Sequence, residues 1–271
     1  MKKIIVIPAR HASTRLPGKP LREICGKSIL YMVYEKATLS RLKDEVIIAA
    51  DDERIREVGE SFGAEVVMTS TDCKSGTDRC REAIQERDAD IIVNLQGDEP
   101  FIRPDMIDTL FDAMVKGHLD MATLCSTIID EEEYTNPNTV KVVLDKSGFA
   151  LYFSRSPIPY LRNTTCSPFT VPGTRLRVSQ FTAINNSQST MRNLQCIYKH
   201  IGIYAFSRSF LEKYVSMEKS PLEEAESLEQ LRVLENGYRI KVLLTDYNGF
   251  GIDTEEDLER ANTVMLRQKK G

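Results

Sequence analysis

The stretch MKKIIVIPARHASTRLPGKPLREICGK, residues 1–27, decides how this chain is read. Residues 4–7 are four β-branched aliphatics in a row, which predicts a buried strand. Pro8 has no N–H to give a ladder, so the strand is expected to stop there. Residues 9–19 then place Arg10, Arg15 and Lys19 among small or turn-prone residues such as Ala12, Ser13, Pro17 and Gly18. Apolar residues at helical spacing resume near Ser28. Strand, basic loop and helix is the order in which an α/β sheet offers backbone N–H groups and cations to a polyphosphate. Neither GxxxxGK[ST] nor GxGxxG is present; the loop is therefore neither a Walker loop nor a dinucleotide fingerprint. The competing reading is a solvated loop that happens to be basic; three cations within ten residues favour the phosphate site.

Working outward, the same alternation repeats. Residues 28–40 predict a helix, 45–50 a strand ending at Asp51-Asp52, 52–62 a polar helix and 65–68 a third strand. The loop TSTDCKSGTDR precedes a helix expected from Asp78. Residues 90–95 form a fourth strand, ending in Gln96-Gly97-Asp98-Glu99-Pro100; a helix at 104–116 and a strand at 121–129 follow. This pattern predicts a mostly parallel sheet flanked by helices. Ligands in such folds bind beyond the carboxyl ends of the strands, so the loops at 9–19, 69–79 and 96–100 are expected to share one cleft. After residue 130 the pattern becomes β-rich, with a hairpin at 140–144 and 150–154. Residues 160–198 are poor in aliphatics and predict a long surface excursion. A strand at 199–206, a helix from the capping box at Ser220 to about Glu235, a strand at 240–244 and a last helix capped by Thr254 complete the chain.

The composition narrows the function classes. The chain has 271 residues, 41% apolar and 28% charged, enough for a sizeable core. A net charge of −4 makes the basic loop a local feature, which argues against a nucleic-acid footprint and suits a small anionic ligand. Six scattered cysteines without CxxC, and three histidines without HExxH, argue against zinc. No apolar run is long enough for a membrane span, and a cytoplasmic location with reduced thiols is expected.

Three pieces carry candidate chemistry. Asp98 stands at the tip of an apolar strand, and Asp253 follows Phe250-Gly251-Ile252; hard carboxylate ligands suit Mg²⁺ that also bridges phosphates. Taken singly, each aspartate is equally well read as a turn or helix cap. Ser75-Gly76-Thr77-Asp78-Arg79 reads as a helix cap that contacts a nucleotide, and is weak alone.

Together, IPARxxSTRLPGKPL, SGTDR, VNLQGDEP, ALYFSRSPIPY, KHIGIYAF, SPLExxExLEQLR and GIDTxEDLERA resemble the CMP-Kdo synthetases, the 3-deoxy-manno-octulosonate (Kdo) cytidylyltransferases. The match runs in order from residue 3 to about 262; residues 161–198 are longer than the family's connection. The resemblance implies a single nucleotidyltransferase domain over 1–271, Rossmann-like, with a dimerisation and sugar-binding extension within 135–215. It implies CTP-dependent activation of Kdo to CMP-Kdo and pyrophosphate for lipopolysaccharide biosynthesis, with Mg²⁺ as cofactor and a homodimer as the assembly. By the same resemblance Ala9, Arg10, Ser13, Arg15, Lys19, Ser75, Gly76, Arg79 and Asp98 bind the nucleotide. Arg10, Lys19, Asp98 and Asp253 are catalytic, with both aspartates on the metal. Gln96, Arg155, His200, Tyr204, Glu229 and Gln230 line the sugar site. The competing reading for His200, at the start of a strand, is a structural histidine, and for Glu229 and Gln230 a solvated mid-helix position. Two alternatives remain at this point: another acidic sugar (amino-Kdo or a sialic acid), and a silent nucleotide-sugar-binding protein.

Overall fold

The apolar run at 4–7 is the centre of β1, Lys3–Ala9, in the computed structural model, which describes residues 1–13, 15–128, 130–162, 197–247 and 249–268. The strand does not stop at Pro8, which pairs with Ala49 of the neighbouring strand. The pairing of β1 on its other side ends at Val6, and a Cβ on Gly97 would lie 2.9 Å from the Pro8 carbonyl oxygen. The Pro8 carbonyl therefore faces that other side. In an extended strand the N–H and C=O of one residue point the same way, so the missing proline donor falls where no ladder remains.

Contacts divide the chain into two compact units. The first comprises Met1–Ala122, Gly202–Met217 and Asn248–Gly271. After β1 come a 3₁₀ turn at Lys19–Leu21, the short β2 (Glu23–Ile24) and β3 (Lys27–Ser28), and helix α1 (Ile29–Thr38) capped by the Ser28 hydroxyl. Strand β4 (Glu45–Ala50), helix α2 (Glu53–Ser61) and strand β5 (Glu65–Met68) follow. Helix α3 (Gly76–Ala83) starts two residues earlier than predicted, because the Ser75 hydroxyl accepts from the Asp78 N–H. Strand β6 (Ile91–Leu95) and helix α4 (Pro104–Gly117) complete the alternation.

In this unit β6, β1, β4 and β5 are parallel, in that order, and β10 (Tyr198–Ser207) closes the row antiparallel to β6. The chain builds outward from β1 to β4 and β5, then crosses back to β6 on the other side. The boundary between β1 and β6 is thus a topological switch point, where loops diverge and leave a crevice. The α/β class with a parallel-dominated sheet is as the sequence predicts. Two further helices belong here: α6 (Arg208–Ser216), which the sequence reading missed, and α9 (Glu255–Gln268).

The second unit comprises Thr123–Ile201 and Glu218–Tyr247. Strand β7 (Met121–Thr127) ends before the predicted boundary, and Ile129 lies outside the described residues. Helix α5 (Glu131–Thr135) was not anticipated, whereas the hairpin of β8 (Lys141–Leu144) and β9 (Ala150–Ser154) was. Residues 163–196, most of the predicted excursion, lie outside the described residues. The helix expected over 221–235 is two helices, α7 (Pro221–Glu226) and α8 (Leu231–Glu235), separated by Ser227 at φ 52°. Strand β11 is Lys241–Thr245. Among the described residues, no helix is long and apolar enough to cross a membrane.

Candidate active site

The switch point brings the three predicted loops of the first unit together. The loop after β1 reaches the loop after β6 through Lys19, whose Nζ donates to Asp98 Oδ2 at 2.7 Å. The same ammonium donates to Asp253 Oδ1 at 2.9 Å, and Arg15 Nη2 lies 3.1 Å from Asp253 Oδ2. Asp253 is brought in by its own approach, since the Ile252 N–H donates to the Asp98 carbonyl at 2.9 Å. Residues 155 positions apart thereby share one ammonium. Burial opposes the charge on Lys19, but Asp98 and Asp253 outweigh it and hold its pKa above the ordinary lysine value. Burial likewise would raise Asp253; Lys19 and then Arg15 reverse the sign and hold it below the usual carboxylate range.

Close backbone approach makes this geometry possible. A Cβ on Gly76 would stand 3.3 Å from Pro8 Cγ and 3.5 Å from Gln96 Oε1, and one on Gly97 would strike the Pro8 carbonyl. The α3 N-terminus, with Ser75 and Gly76, therefore lies against the carboxyl ends of β1 and β6. Gln96 is oriented by a relay: its Nε2 donates to Asn94 Oδ1 (3.2 Å), and Asn94 Nδ2 donates to Thr77 Oγ1 (3.1 Å). Ala9 is buried as the last residue of β1, while Arg10 is exposed just beyond it. The Ser13 hydroxyl accepts from the Leu16 N–H, shaping the loop.

Arg79 is held by its own set of partners. It is 3% exposed, and its guanidinium donates to Asp51 Oδ2 at 2.9 Å, to Thr69 Oγ1 at 2.5 Å and to the Ser70 carbonyl at 3.3 Å. Asp51 also accepts from the His11 N–H at 3.0 Å. The pair ties the basic loop to α3. Sequence reasoning missed Asp51 in this role, although a carboxylate at the tip of an apolar strand is the pattern that singled out Asp98.

The expected sugar residues divide between the units. Gln96 and Tyr204 belong to the first, where Tyr204 is buried opposite Asn94. Arg155, His200, Glu229 and Gln230 belong to the second. The His200 Nε2 lies 2.9 Å from Thr123 Oγ1, and the ring meets Phe153 edge-on at 5.1 Å. Burial pushes its imidazole down to about 3, so it is neutral near pH 7. Glu229 and Gln230 are not mid-helix; they occupy the turn between α7 and α8, with Gln230 buried. The break has a distant partner: Arg155 Nε donates to the Glu226 carbonyl at 2.8 Å, and its Nη2 approaches the Ser227 carbonyl at 3.5 Å. An arginine thus satisfies the terminal carbonyls of α7 where the sequence would have continued the helix.

Around Arg155 the second unit is dense in charge. The Glu226 carboxylate accepts from Ser154 Oγ (2.6 Å) and the Arg155 N–H (2.9 Å). Lys141 is fully buried and donates to the carbonyls of Asn136 (2.9 Å), Thr139 (2.6 Å) and Arg155 (2.6 Å). Burial first, then the neighbouring Arg155, lower its pKa, with Glu226 acting in the opposite sense. The sequence does not mark a lysine in a strand as buried.

A parallel sheet whose switch point presents a basic loop, a helix N-terminus and paired aspartates defines a nucleotidyltransferase class of site. Residues 4–240 match the family model described as "Cytidylyltransferase". The chain is 47% identical to a 3-deoxy-manno-octulosonate cytidylyltransferase of Thermodesulfovibrio yellowstonii, covering 98% of each chain. It is 48% identical to one from Porphyromonas gingivalis, covering 98% of this chain and 97% of the relative. A solved CMP:2-keto-3-deoxy-manno-octonic acid synthetase, complexed with CTP, superposes with a TM-score of 0.84 at 41% identity. That match covers 99% of this chain and all of the other. The chain belongs to the 3-deoxy-manno-octulosonate cytidylyltransferase family.

Proposed function

We propose that this chain activates Kdo with CTP, giving CMP-Kdo and pyrophosphate. The carrying observation is the Lys19–Asp98–Asp253 cluster at the switch point of a chain that matches the curated cytidylyltransferases over nearly its full length. The anomeric hydroxyl of the sugar attacks the α-phosphorus and gives up its proton to solvent, the bond to the bridging oxygen of the β-phosphate breaks, and pyrophosphate leaves. Such a step needs alignment and charge neutralisation more than covalent help from the protein. Arg10, Arg15 and Lys19 meet the phosphates and the charge that grows on the leaving group. Ser75, Gly76 and the α3 N-terminus add backbone donors, while Arg79 acts through Asp51.

Asp98 and Asp253 fit Mg²⁺. Their oxygens share one ammonium at 2.7 and 2.9 Å, and Mg²⁺ in nucleotide sites takes one or two carboxylates alongside phosphate oxygens and water. When bound there, the ion supplies Lewis-acid neutralisation of phosphate charge. On the sugar side, the Arg155 guanidinium of the second unit suits a carboxylate, with His200, Glu229 and Gln230 as further proposed sugar contacts of that unit; Gln96 and Tyr204 are those proposed in the first unit. A homodimer through the 135–215 region belongs to the same reading, supported by Leu151 on β9, 61% exposed. Use of CTP supports a cytoplasmic location.

The test is CTP-dependent pyrophosphate release with Kdo present and absent; equal release in both rejects the assignment. Asp98→Asn and Asp253→Asn are each expected to lower kcat about 100-fold or more. Acting on one ion, they should combine far less than multiplicatively. A fully multiplicative double mutant would remove the shared-metal role.

A further inference from the structure

We propose that Lys141 and Glu226 are positioning residues for sugar recognition, holding Arg155 in the orientation that receives the carboxylate of the acidic sugar. The inference rests on the reading above that Arg155 meets that carboxylate. Its geometry lies wholly within the second unit. Both main-chain polar groups of Arg155 are fixed by charged side chains: its N–H donates to Glu226 Oε2 at 2.9 Å, and its carbonyl accepts from Lys141 Nζ at 2.6 Å. The guanidinium is fixed at three further points, the carbonyls of Glu226, Ser227 and Pro137, at 2.8, 3.5 and 3.1 Å. Lys141 also holds the carbonyls on either side of Pro137–Asn138, those of Asn136 and Thr139. One buried ammonium therefore sets both the arginine main chain and the loop that carries one of its side-chain acceptors.

Stability alone is a poor account of this arrangement. An ammonium with three donors has all of them spent on uncharged carbonyls, and a buried charge of that kind carries a desolvation cost that an apolar side chain of similar length would avoid. Two cations, Lys141 and Arg155, are set against one carboxylate, Glu226. The cluster is one negative charge short, and a ligand carboxylate supplies it. An arginine already ordered by five contacts also loses little rotamer freedom on binding, which is how preorganisation raises affinity.

The experiment compares Glu226→Gln and Lys141→Met with Arg155→Lys, measuring kcat, KM for Kdo, KM for CTP and thermal unfolding of each. Glu226→Gln and Lys141→Met are expected to raise the Kdo KM about tenfold, as loss of preorganisation does, with the CTP KM within about twofold of wild type. The Glu226→Gln/Arg155→Lys double variant is expected to be no worse than Arg155→Lys, because one residue acts through the other. If Lys141→Met fails to fold, the near-isosteric Glu226→Gln decides alone. A raised Kdo KM in Arg155→Lys with a normal one in Glu226→Gln overturns the positioning role and leaves the sugar assignment standing. Additive effects in the double variant overturn it too. A normal Kdo KM in Arg155→Lys removes Arg155 from the sugar site and the proposal with it. Wild-type protein without Kdo-dependent turnover instead refutes the proposed function itself.

Discussion

Replacing Lys19 with methionine should make the nucleotide-free protein bind a divalent cation more tightly while it uses CTP less well. The Lys19 ammonium stands 2.7 Å from Asp98 Oδ2 and 2.9 Å from Asp253 Oδ1, so those two oxygens are no more than 5.6 Å apart. Without a cation between them, two unit charges at that separation repel by about 3 kcal/mol at an effective dielectric of about 20. The Asp253 side chain is 44% exposed and keeps Arg15 at 3.1 Å. Solvent and that guanidinium absorb part of the repulsion, and about half remains, on the order of one decade in affinity. A divalent ion entering the variant relieves the repulsion and has no ammonium to displace. Nucleotide-free Lys19→Met is therefore expected to bind Mn²⁺ about tenfold more tightly than wild type, read from free Mn²⁺ by electron paramagnetic resonance. The CTP KM is expected to move the other way, since the proposed phosphate contact of Lys19 is lost. A merely loosened site loses both affinities. Unchanged or weaker Mn²⁺ binding by a folded Lys19→Met protein would refute the competition between ammonium and metal.

Two other perturbations follow from single contacts. Gly97→Ala puts a Cβ 2.9 Å from the Pro8 carbonyl, where backbone must shift; a loss of about 1–3 kcal/mol in urea unfolding is expected, and a wild-type midpoint would show that the approach is not tight. His200, pushed from 6.5 down to about 3 in the folded protein, is protonated preferentially in the unfolded chain between those values. Stability is therefore expected to fall as the pH drops below about 6.5, by about 2 kcal/mol at pH 5. His200→Asn should flatten that slope, and an unaltered slope would assign the acid sensitivity elsewhere.

What the sequence made legible was whatever is written locally. Strands β4 and β5 span the residues predicted for them, 45–50 and 65–68, and the three loops meet because the carboxyl ends of parallel strands lie on one edge. Asp98 and Asp253 could be paired only by family resemblance, since each alone is an adequate cap. The failures have distant causes. Pro8 continues its strand because the β6 ladder has already ended on one side. The helix at 221–235 breaks where Arg155, more than 70 positions earlier, takes its terminal carbonyls. The SGTDR motif gives no sign that the Arg79 guanidinium pairs with Asp51, just beyond the end of β4. Helix α6 was missed because Ser207, its cap, is also the last residue of β10, so no breaker separates the two periods.

The formal charges of the two clusters bear on which part of the reaction each serves. Lys19 and Arg15 face Asp98 and Asp253, a sum of zero, with the cation between the carboxylates. A divalent ion between the carboxylates, with the displaced ammonium turned to phosphate, would bring that sum to +2, a surplus that suits a polyphosphate. In the second unit the order is inverted: one carboxylate, Glu226, beside Arg155 and Lys141, a sum of +1. That surplus suits a single carboxylate and has no capacity for a triphosphate. On the proposed assignments, the acid group of the sugar and the phosphates of the nucleotide would be sorted by charge count. It follows that a ketose lacking the carboxylate should lose its affinity through the Arg155 cluster, with the CTP KM unchanged.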